Sequence, residues 1–308
     1  MSDMSVQPGV LAEVPSHARY LTFRRRAAAG DPRSDLARLA ALPVDESRVV
    51  GIGASLVHEL GAHVEGLRTF PAMDGRGLSV PSTPSALWCW LRGEERGELV
   101  HASILMRRTL ADAFEIETVV DAFRHLDGRD LTGYEDGTEN PAGDDAVAAA
   151  VVSGAGAGLD GSSFVAVQQW VHDLDRFASF SRVEQDETIG RRLSDNEEMD
   201  DAPPGAHVKR TEQEAFDPPA YLVRRSMAWA DAKREGLVFV AFGRSLDPFE
   251  TLMRRMTGAD DGVPDHLFRF TRPATGSYFW CPPARGGRLD LRALLGRQPE
   301  EFAEFSDN

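Results

Sequence analysis

Cysteine is scarce in this chain of 308 residues, which has only Cys89 and Cys281. Two cysteines are too few for a disulfide framework. Neither lies in a C-x-x-C or C-x-x-C-H pattern, so a thiol redox pair and a cofactor attached covalently through such a motif are excluded. Long hydrophobic runs are missing as well, because no window approaches the roughly 18 apolar residues of a membrane-spanning helix.

Positively charged residues are also fewer than negatively charged ones. Lys and Arg number 34 against 49 Asp and Glu, which gives a net charge of −15. This balance argues against nucleic acid, whose phosphates require clustered cations, and against anionic membrane surfaces. The N-terminus lacks a basic stretch followed by an apolar export segment. We therefore expect a cytoplasmic protein without a nucleic-acid or membrane partner.

The composition, 42% hydrophobic and 27% charged, is typical of a globular protein with one large domain or two of ordinary size. Strand-like and helical patterns occur in both halves. We predict strands at 18–25, 85–93, 163–173 and 236–243, and a strand running into a loop at 48–56. We predict helices at 33–43, 175–191 and 247–258, and helical periodicity at the start of 108–126. Each half therefore mixes the two element types, which suggests two α+β units of similar build.

Two segments stand apart from this pattern. Residues 141–163 are rich in Ala, Gly and Asp and have few side chains large enough to anchor a core, so we interpret them as the connection between the halves. Residues 191–229 are long, polar and Pro-rich, without clean periodicity. A segment of that length in a compact chain is usually functional or disordered.

The stretch GYEDGTENP at 133–141 places Asp136 ahead of a glycine. Taken alone, Asp136 fits a turn, because Asp–Gly pairs favour turn geometry. His207 alone fits an ordinary surface or core histidine, and Arg224 alone fits a solvated charge at the end of a strand. No single position decides between structure and chemistry.

The combination is more specific. GYEDGTENP, GAHVKR at 205–210, LVRRSMAW at 222–229 and PDHLFRF at 264–270 together resemble the dye-decolorizing peroxidase family. The chain is most similar to the bacterial branch that includes porphyrinogen-peroxidase-like proteins, and the resemblance covers nearly the whole chain. The G-x-x-D-G element at 133–137 is the diagnostic motif of that family.

The resemblance implies an α+β fold of two ferredoxin-like domains with antiparallel sheets, of the dimeric α/β-barrel type. We expect an N-terminal domain at 1–145 and a haem-binding C-terminal domain at 146–308. The implied activity is that of a haem b (iron protoporphyrin IX) peroxidase, which reduces hydrogen peroxide through a ferryl intermediate and oxidises dyes, phenols or porphyrinogens. Relatives commonly assemble as dimers or larger rings, so a homo-oligomer is expected.

The resemblance also implies roles for individual residues. His207 matches the proximal iron ligand, and Asp265 matches the carboxylate that accepts its other ring N–H. On the opposite side, Asp136 matches the distal acid that transfers the proton of peroxide, and Arg224 matches the distal arginine. Ser226 is then the polar residue near the distal water.

Three further positions complete the implied site. Leu237 and Phe239 match apolar residues on the peroxide side, and Arg191 matches a contact to a haem propionate. Trp229 has two interpretations, a redox relay or a larger packing residue. We expect the best activity at mildly acid pH, where substrate oxidation takes up protons readily.

Two alternatives to peroxidase activity stay open at this point. The protein could bind haem or porphyrin for haem handling or iron release, or it could be a ferredoxin-like binder without a cofactor. The spectrum of the purified protein before and after peroxide separates all three.

Overall fold

A computed structural model describes residues 4–75 and 78–296. The strands are β1 (Met4–Ser5), β2 (His17–Arg25), β3 (Arg48–Ile52), β4 (Met73–Gly75), β5 (Leu78–Val80), β6 (Leu87–Gly93), β7 (Phe114–Phe123), β8 (Ser163–His172), β9 (Val223–Arg224), β10 (Met227–Ala230), β11 (Glu235–Gly243), β12 (Thr271–Pro273), β13 (Ser277–Cys281), β14 (Ala284–Arg285) and β15 (Arg288–Leu289). The α-helices are α1 (Pro8–Leu11), α2 (Arg33–Ala40), α3 (Ala54–Glu59), α4 (Arg96–Thr109), α5 (Gly143–Ala150), α6 (Leu174–Ser179), α7 (Arg182–Ile189), α8 (His207–Thr211), α9 (Asp247–Met256) and α10 (Arg292–Leu295), and 3-10 turns lie at Gln213–Ala215 and His266–Arg269.

The two halves of the chain build sheets of the same connectivity. In the first half, β2, β3, β6 and β7 are arranged in the order β7–β2–β6–β3, with α2 and α4 in the crossovers. In the second half, β8, β10, β11 and β13 are arranged in the order β10–β11–β8–β13. Each order places the first and third strands in the centre of an antiparallel sheet. This arrangement is the ferredoxin-like one, and it confirms the predicted fold class.

The two sheets join edge to edge. β7 pairs with β10, and β3 pairs with β13, so the strands close into a barrel-like ring. Its interior is filled by stacked aromatic rings from both halves. They include Tyr20, Trp88, Trp90, Phe242 and Phe279, all buried. Because this interior is packed with side chains, a large ligand has to lie on an outer face.

The outer faces of the two sheets differ in how closely helices cover them. α2 and α4 cover the first sheet with buried Leu36, Leu39 and Met106. On the second sheet, outward side chains alternate along β8 and β11, as the period of a strand requires. Trp170 lies opposite Leu237 in the register of those strands. These outward residues line a cavity rather than a continuous core.

Most of the predicted elements are confirmed. The helical periodicity predicted at the start of 108–126 ends with α4 at Thr109, and the strand β7, which was not predicted, pairs with β2 along most of its length. The helix predicted at 175–191 is divided into α6 and α7. Ile116, Thr118 and Val119 are β-branched and favour a strand, and pairing with β2 outweighs the helical spacing. The predicted strand at 48–56 stops at Ile52, where α3 follows.

The connection between the halves contains α5, whose buried face consists of small alanines. The predicted domain boundary at 145/146 lies inside this helix, and the division of the chain there stays a prediction. Throughout 4–75 and 78–296, no helix combines the length and hydrophobicity that a membrane crossing requires.

Candidate active site

A cavity of about 320 Å³ lies between the outer face of the second sheet, helices α8 and α9, and the loop at 133–141. Helix α9 contributes an apolar wall, because its buried stripe turns towards the sheet. The wall is formed by Phe249, Leu252, Met253 and Met256. His207, Asp136 and Arg224 line the same cavity, although they lie far apart in sequence.

His207 is the first residue of α8 and is oriented by a buried carboxylate. Its Nδ1 lies 2.7 Å from Oδ2 of Asp265, a residue only 1% exposed. The other oxygen of Asp265 accepts the backbone N–H of Leu267 at 2.8 Å. A carboxylate that accepts from Nδ1 fixes the tautomer, so Nε2 keeps its lone pair for a metal. The structure therefore brings together this predicted pair.

The loop at 133–141 is held by its neighbours. Gly133 and Gly137 have φ values of +91° and +79°, which favour glycine. Arg129 donates to the carbonyl of Gly133 at 3.0 Å and to Glu135 at 2.9 Å. Asn196 donates to the other oxygen of Glu135 at 2.7 Å. These contacts leave the loop in one conformation.

Asp136 presents its carboxylate to the cavity. It makes no ion pair with another residue of the part that the structure describes. Its side chain is exposed to the two cavities that it borders and is otherwise surrounded by protein. Burial raises the pKa of Asp136 above its usual range, while the positive charge of Arg224 lowers it and the negative charge of Asp130 raises it. A carboxyl whose pKa is raised takes up a proton more readily than an ordinary aspartate and can return it.

Arg224 is fixed through its main chain by Asn140. The Asn140 amide accepts from the Arg224 N–H at 2.8 Å and donates to its carbonyl at 2.9 Å. The guanidinium itself has no hydrogen-bond partner among residues 4–75 and 78–296, and its Nε is buried. A Cβ at Gly137 would lie 2.9 Å from the Asn140 amide nitrogen. The glycine of the motif is therefore needed for the contact that positions Arg224.

The other predicted residues are distributed over two cavities. Leu237 and Phe239 line the large cavity from β11. Ser226 instead lines a second cavity of about 230 Å³, which Asp136, Arg224 and Leu237 also border. Its hydroxyl is buried and has no partner within the described ranges. Ser226 thus lies next to the distal residues but not on the large cavity.

Arg191 lies at the rim of the large cavity and is nearly buried. Its guanidinium contacts Glu139 at 2.6 Å and Glu198 at 3.4 Å, and it donates to the carbonyl of Asn196 at 3.0 Å. These contacts pair its guanidinium with two carboxylates at the edge of the cavity. The propionate contact predicted for it stays a prediction.

Sequence reasoning missed several residues of the site. Asn140 belongs to the motif stretch GYEDGTENP, where its position before Pro141 was the available indication of a residue that shapes the loop. Gln168, on β8, lines the cavity with a buried amide nitrogen that has no partner in the described part of the chain. His172 and Asp130 form a hydrogen-bonded pair in the wall. Their contact spans two distant segments, so no local pattern could reveal it.

The donor set fits haem better than a bare metal ion. Across 4–75 and 78–296, no group of three or more His, Cys, Asp or Glu side chains could hold a metal. A single imidazole is sufficient only for a metal that brings most of its ligands with it, as iron does in a porphyrin. The apolar walls and the partnerless polar atoms around this imidazole fit such a group.

Comparison with known proteins agrees with this geometry. The family model described as Dyp-type peroxidase, C-terminal, matches residues 127–286, which include both cavity loops and α8. The chain belongs to the dye-decolorizing peroxidase family. Two relatives of that name are similar in sequence. The protein of Mycobacterium tuberculosis is 30% identical over 77% of this chain and 73% of its own length, and that of Mycolicibacterium paratuberculosis is 28% identical over 81% and 78%.

Solved structures of dye-decolorizing peroxidases are similar along nearly the whole chain. A putative dyp-type peroxidase from Shewanella oneidensis has a TM-score of 0.84 at 29% identity, covering 96% of this chain and 99% of that one. A variant of DypB from Rhodococcus jostii RHA1, solved in complex with heme, has a TM-score of 0.79 at 27% identity over 89% and 95%. Members of this family are haem-dependent peroxidases that use haem b. The predictions of family, fold class, enzyme class and cofactor are therefore confirmed.

Proposed function

We propose that this protein reduces hydrogen peroxide at a haem b held in the large cavity and passes the oxidising power to an organic electron donor. The observation that carries the proposal is the arrangement of His207, Asp136 and Arg224 on one cavity. The ring of His207 is oriented by a carboxylate, while Asp136 and Arg224 have no ion-pair partner among the described residues.

On the proximal side, Nε2 of His207 would hold the iron. Asp265 accepts the N–H of Nδ1, which gives the imidazole anionic character and raises its basicity as a ligand. Both oxygens of Asp265 are engaged, so the ring cannot rotate freely. Bound haem supplies the iron that coordinates peroxide and the electrons that cleave its O–O bond.

On the distal side, ionised Asp136 accepts the proton from the inner oxygen of hydrogen peroxide. It then returns the proton, directly or through a water, to the outer oxygen, which leaves as water. Arg224 stabilises the negative charge that develops on that oxygen as the bond breaks. Its partnerless guanidinium is preorganised for this role because Asn140 fixes the main chain from which it extends.

The remaining predicted residues shape the space around these two. Leu237 and Phe239 exclude water on the side of Asp136, which strengthens the electrostatic interactions there. Ser226, in the second cavity, offers a hydroxyl to a water or peroxide near Arg224. Arg191 would hold a propionate at the rim, where Glu139 and Glu198 already contact its guanidinium.

Dyes, phenols and porphyrinogens are the donor classes that we propose, with a homo-oligomer in the cytoplasm as the assembly. A role in haem handling or iron release fits the distal side less well. Binding alone does not require an ionisable acid and an arginine without partners, both of which cost free energy when they are buried. The high-valent intermediate expected from the sequence stays a prediction.

The decisive experiment is the visible spectrum of the purified protein before and after one equivalent of peroxide, repeated for three variants. His207→Ala should lose the Soret band of coordinated haem. Asp136→Ala and Arg224→Ala should keep it but react with peroxide at least a hundredfold more slowly. If both distal variants react as fast as the parent, the site is not arranged for peroxide, and haem handling becomes the better explanation.

A further inference from the structure

A second pair of ionisable side chains lies in the wall of the large cavity, behind the loop that carries Asp136. His172 is the last residue of β8 and is 8% exposed. Its Nε2 lies 3.0 Å from Oδ2 of Asp130, and its Nδ1 lies 2.6 Å from Oγ1 of Thr271. The pair takes no direct part in the chemistry described above.

The hydrogen bonds around His172 bear on which of its ring nitrogens carry hydrogen. The hydroxyl of Thr271 lies 3.0 Å from the carbonyl of Val171 and 2.6 Å from Nδ1 of His172; when it donates to the carbonyl, it accepts from Nδ1. An ionised carboxylate can also only accept, so Asp130 requires a hydrogen on Nε2. In this arrangement both ring nitrogens carry hydrogen, which is the protonation that the proposal below assigns to His172.

Asp130 in turn organises the chain that leads to Asp136. Its Oδ1 accepts from both the N–H and the hydroxyl of Thr132, at 2.8 and 2.6 Å. Its carbonyl accepts from Gly133 at 2.8 Å, and its N–H donates to the carbonyl of Tyr134 at 2.9 Å. The segment that leads into the motif at 133–137 is therefore held by Asp130, whose side chain is hydrogen-bonded to His172 on β8.

We propose that the imidazolium of His172 and the carboxylate of Asp130 form a buried ion pair that positions the catalytic loop, so that Asp136 reaches the peroxide oxygen. This role rests on the proposed function of Asp136. His172 and Asp130 are positioning residues, because they act through the loop and not on the substrate.

The charges around the pair are consistent with this role. Burial acts to raise the pKa of Asp130, but the hydrogen bond and the charge of His172, with help from Thr132, bring the pKa below its usual value. The ring of Phe270 lies 5.9 Å from that of His172 and shields it from water. Glu235 lies opposite His172 in the register of β8 with β11, and Asp136 is the other acid of this wall.

The protonation state has a direct test. The holoprotein, labelled with ¹⁵N-histidine and held in its diamagnetic ferrous–carbon monoxide state, is compared by NMR with His172→Gln to assign the ring. We expect two directly bonded N–H signals from His172 at pH 7. A single N–H signal would mean a neutral ring and would overturn the ion pair, whatever the function of the cavity.

The positioning role is tested by a double-mutant cycle on the rate of the reaction with peroxide. His172→Gln should slow this step roughly tenfold to a hundredfold while the Soret band is retained, because a misplaced catalytic group loses rate of that order. Asp136→Ala should be slower still, and adding His172→Gln to it should change nothing further. Equal losses in both backgrounds would show that His172 does not act through Asp136.

Two controls separate the possible failures. His63→Gln removes a histidine that also contacts an acid, Glu65 at 3.0 Å, but lies on the surface, so it should leave the rate unchanged. Asp130→Asn keeps the shape of the pair without its charge and should remove part of the pH dependence of unfolding. If Asp136→Ala has no effect on the rate, the proposed function fails, while the NMR result still decides the ion pair.

Discussion

Replacement of Arg224 is the sharpest test of the distal site. Arg224 has a buried Nε without a partner in the described part of the chain and lines the cavity that His207 lines. Removing one preorganised group of this kind costs about 2.7–4 kcal/mol of transition-state stabilisation, or roughly a hundredfold to a thousandfold in rate. We expect Arg224→Ala to slow the reaction with peroxide by that factor.

The same replacement should also move the pH profile. Asp136 must be ionised to accept the proton, so the rate of the peroxide step falls as pH drops through the pKa of Asp136. Burial already raises this pKa, and the charge of Arg224 is the largest effect that lowers it. Arg224→Ala therefore raises the pKa of Asp136 further, so the acid limb of the pH–rate profile, where the rate falls with decreasing pH, shifts to higher pH. Arg224→Lys keeps the charge and should hold the limb near its original position, with an intermediate rate.

The assay is stopped-flow absorbance of the Soret band against peroxide concentration, from pH 4 to 9. Arg272→Ala is the matched control, because Arg272 is an exposed strand arginine that lines neither cavity. If Arg224→Ala slows the reaction with peroxide but leaves the acid side of the pH–rate profile at the same pH, the coupling between Arg224 and Asp136 is refuted. An overall dye-oxidation rate that keeps rising through pH 8 would contradict the mildly acid optimum, because substrate oxidation should take up protons.

The contacts that support the site lead to three further predictions. Asn140→Ala removes both hydrogen bonds to the main chain of Arg224, so it should lower the free energy of unfolding by about 1–3 kcal/mol and slow the reaction with peroxide. Urea unfolding measures the first effect, and stopped-flow absorbance measures the second. Gly137→Ala should cost about 1–2 kcal/mol of stability for the positive φ alone, as measured by thermal unfolding, and an unchanged Tm would contradict it. Asp265→Asn leaves His207 with a neutral acceptor, so the reduction potential of the iron should rise and activity should fall roughly tenfold to a hundredfold. Spectroelectrochemistry measures the potential and turnover assays measure the activity. A potential that stays constant would count against the role of the carboxylate.

Much of the site could be predicted because its residues lie in short motifs. The glycine after Asp136 indicated a turn, and the structure shows why glycine is required there, with φ at +79°. The long polar segment at 191–229 supplies both His207 and Arg224, as a functional segment should. The interpretation of Trp229 as a packing residue fits its burial in the barrel interior, where its Nε1 donates to the carbonyl of Trp170 at 2.9 Å.

The contacts between segments could not be predicted in the same way. Asn140 meets Arg224, and His172 meets Asp130, only because the chain folds the loop at 133–141 against the end of the second sheet. Neither contact leaves a periodic or compositional trace. The strand β7 was not predicted for a related reason, since its pairing with β2 is a tertiary contact that local spacing does not show.

The position of the cavity follows from which face of each sheet is buried inside the ring of strands. Closing the sheets into a ring buries one face of each, and the aromatic side chains of both halves fill that interior without leaving room for a large ligand. Only the outer faces remain. The first is covered closely by α2 and α4. On the second, the cavity separates helices α8 and α9 from the sheet, and the outward residues of β8 include the polar Gln168 and His172. Since buried polar groups are costly without partners, a ligand or an ion pair has to satisfy them. Asp130 is that partner for His172, and water or a bound group in the cavity can supply partners to Gln168 and Arg224.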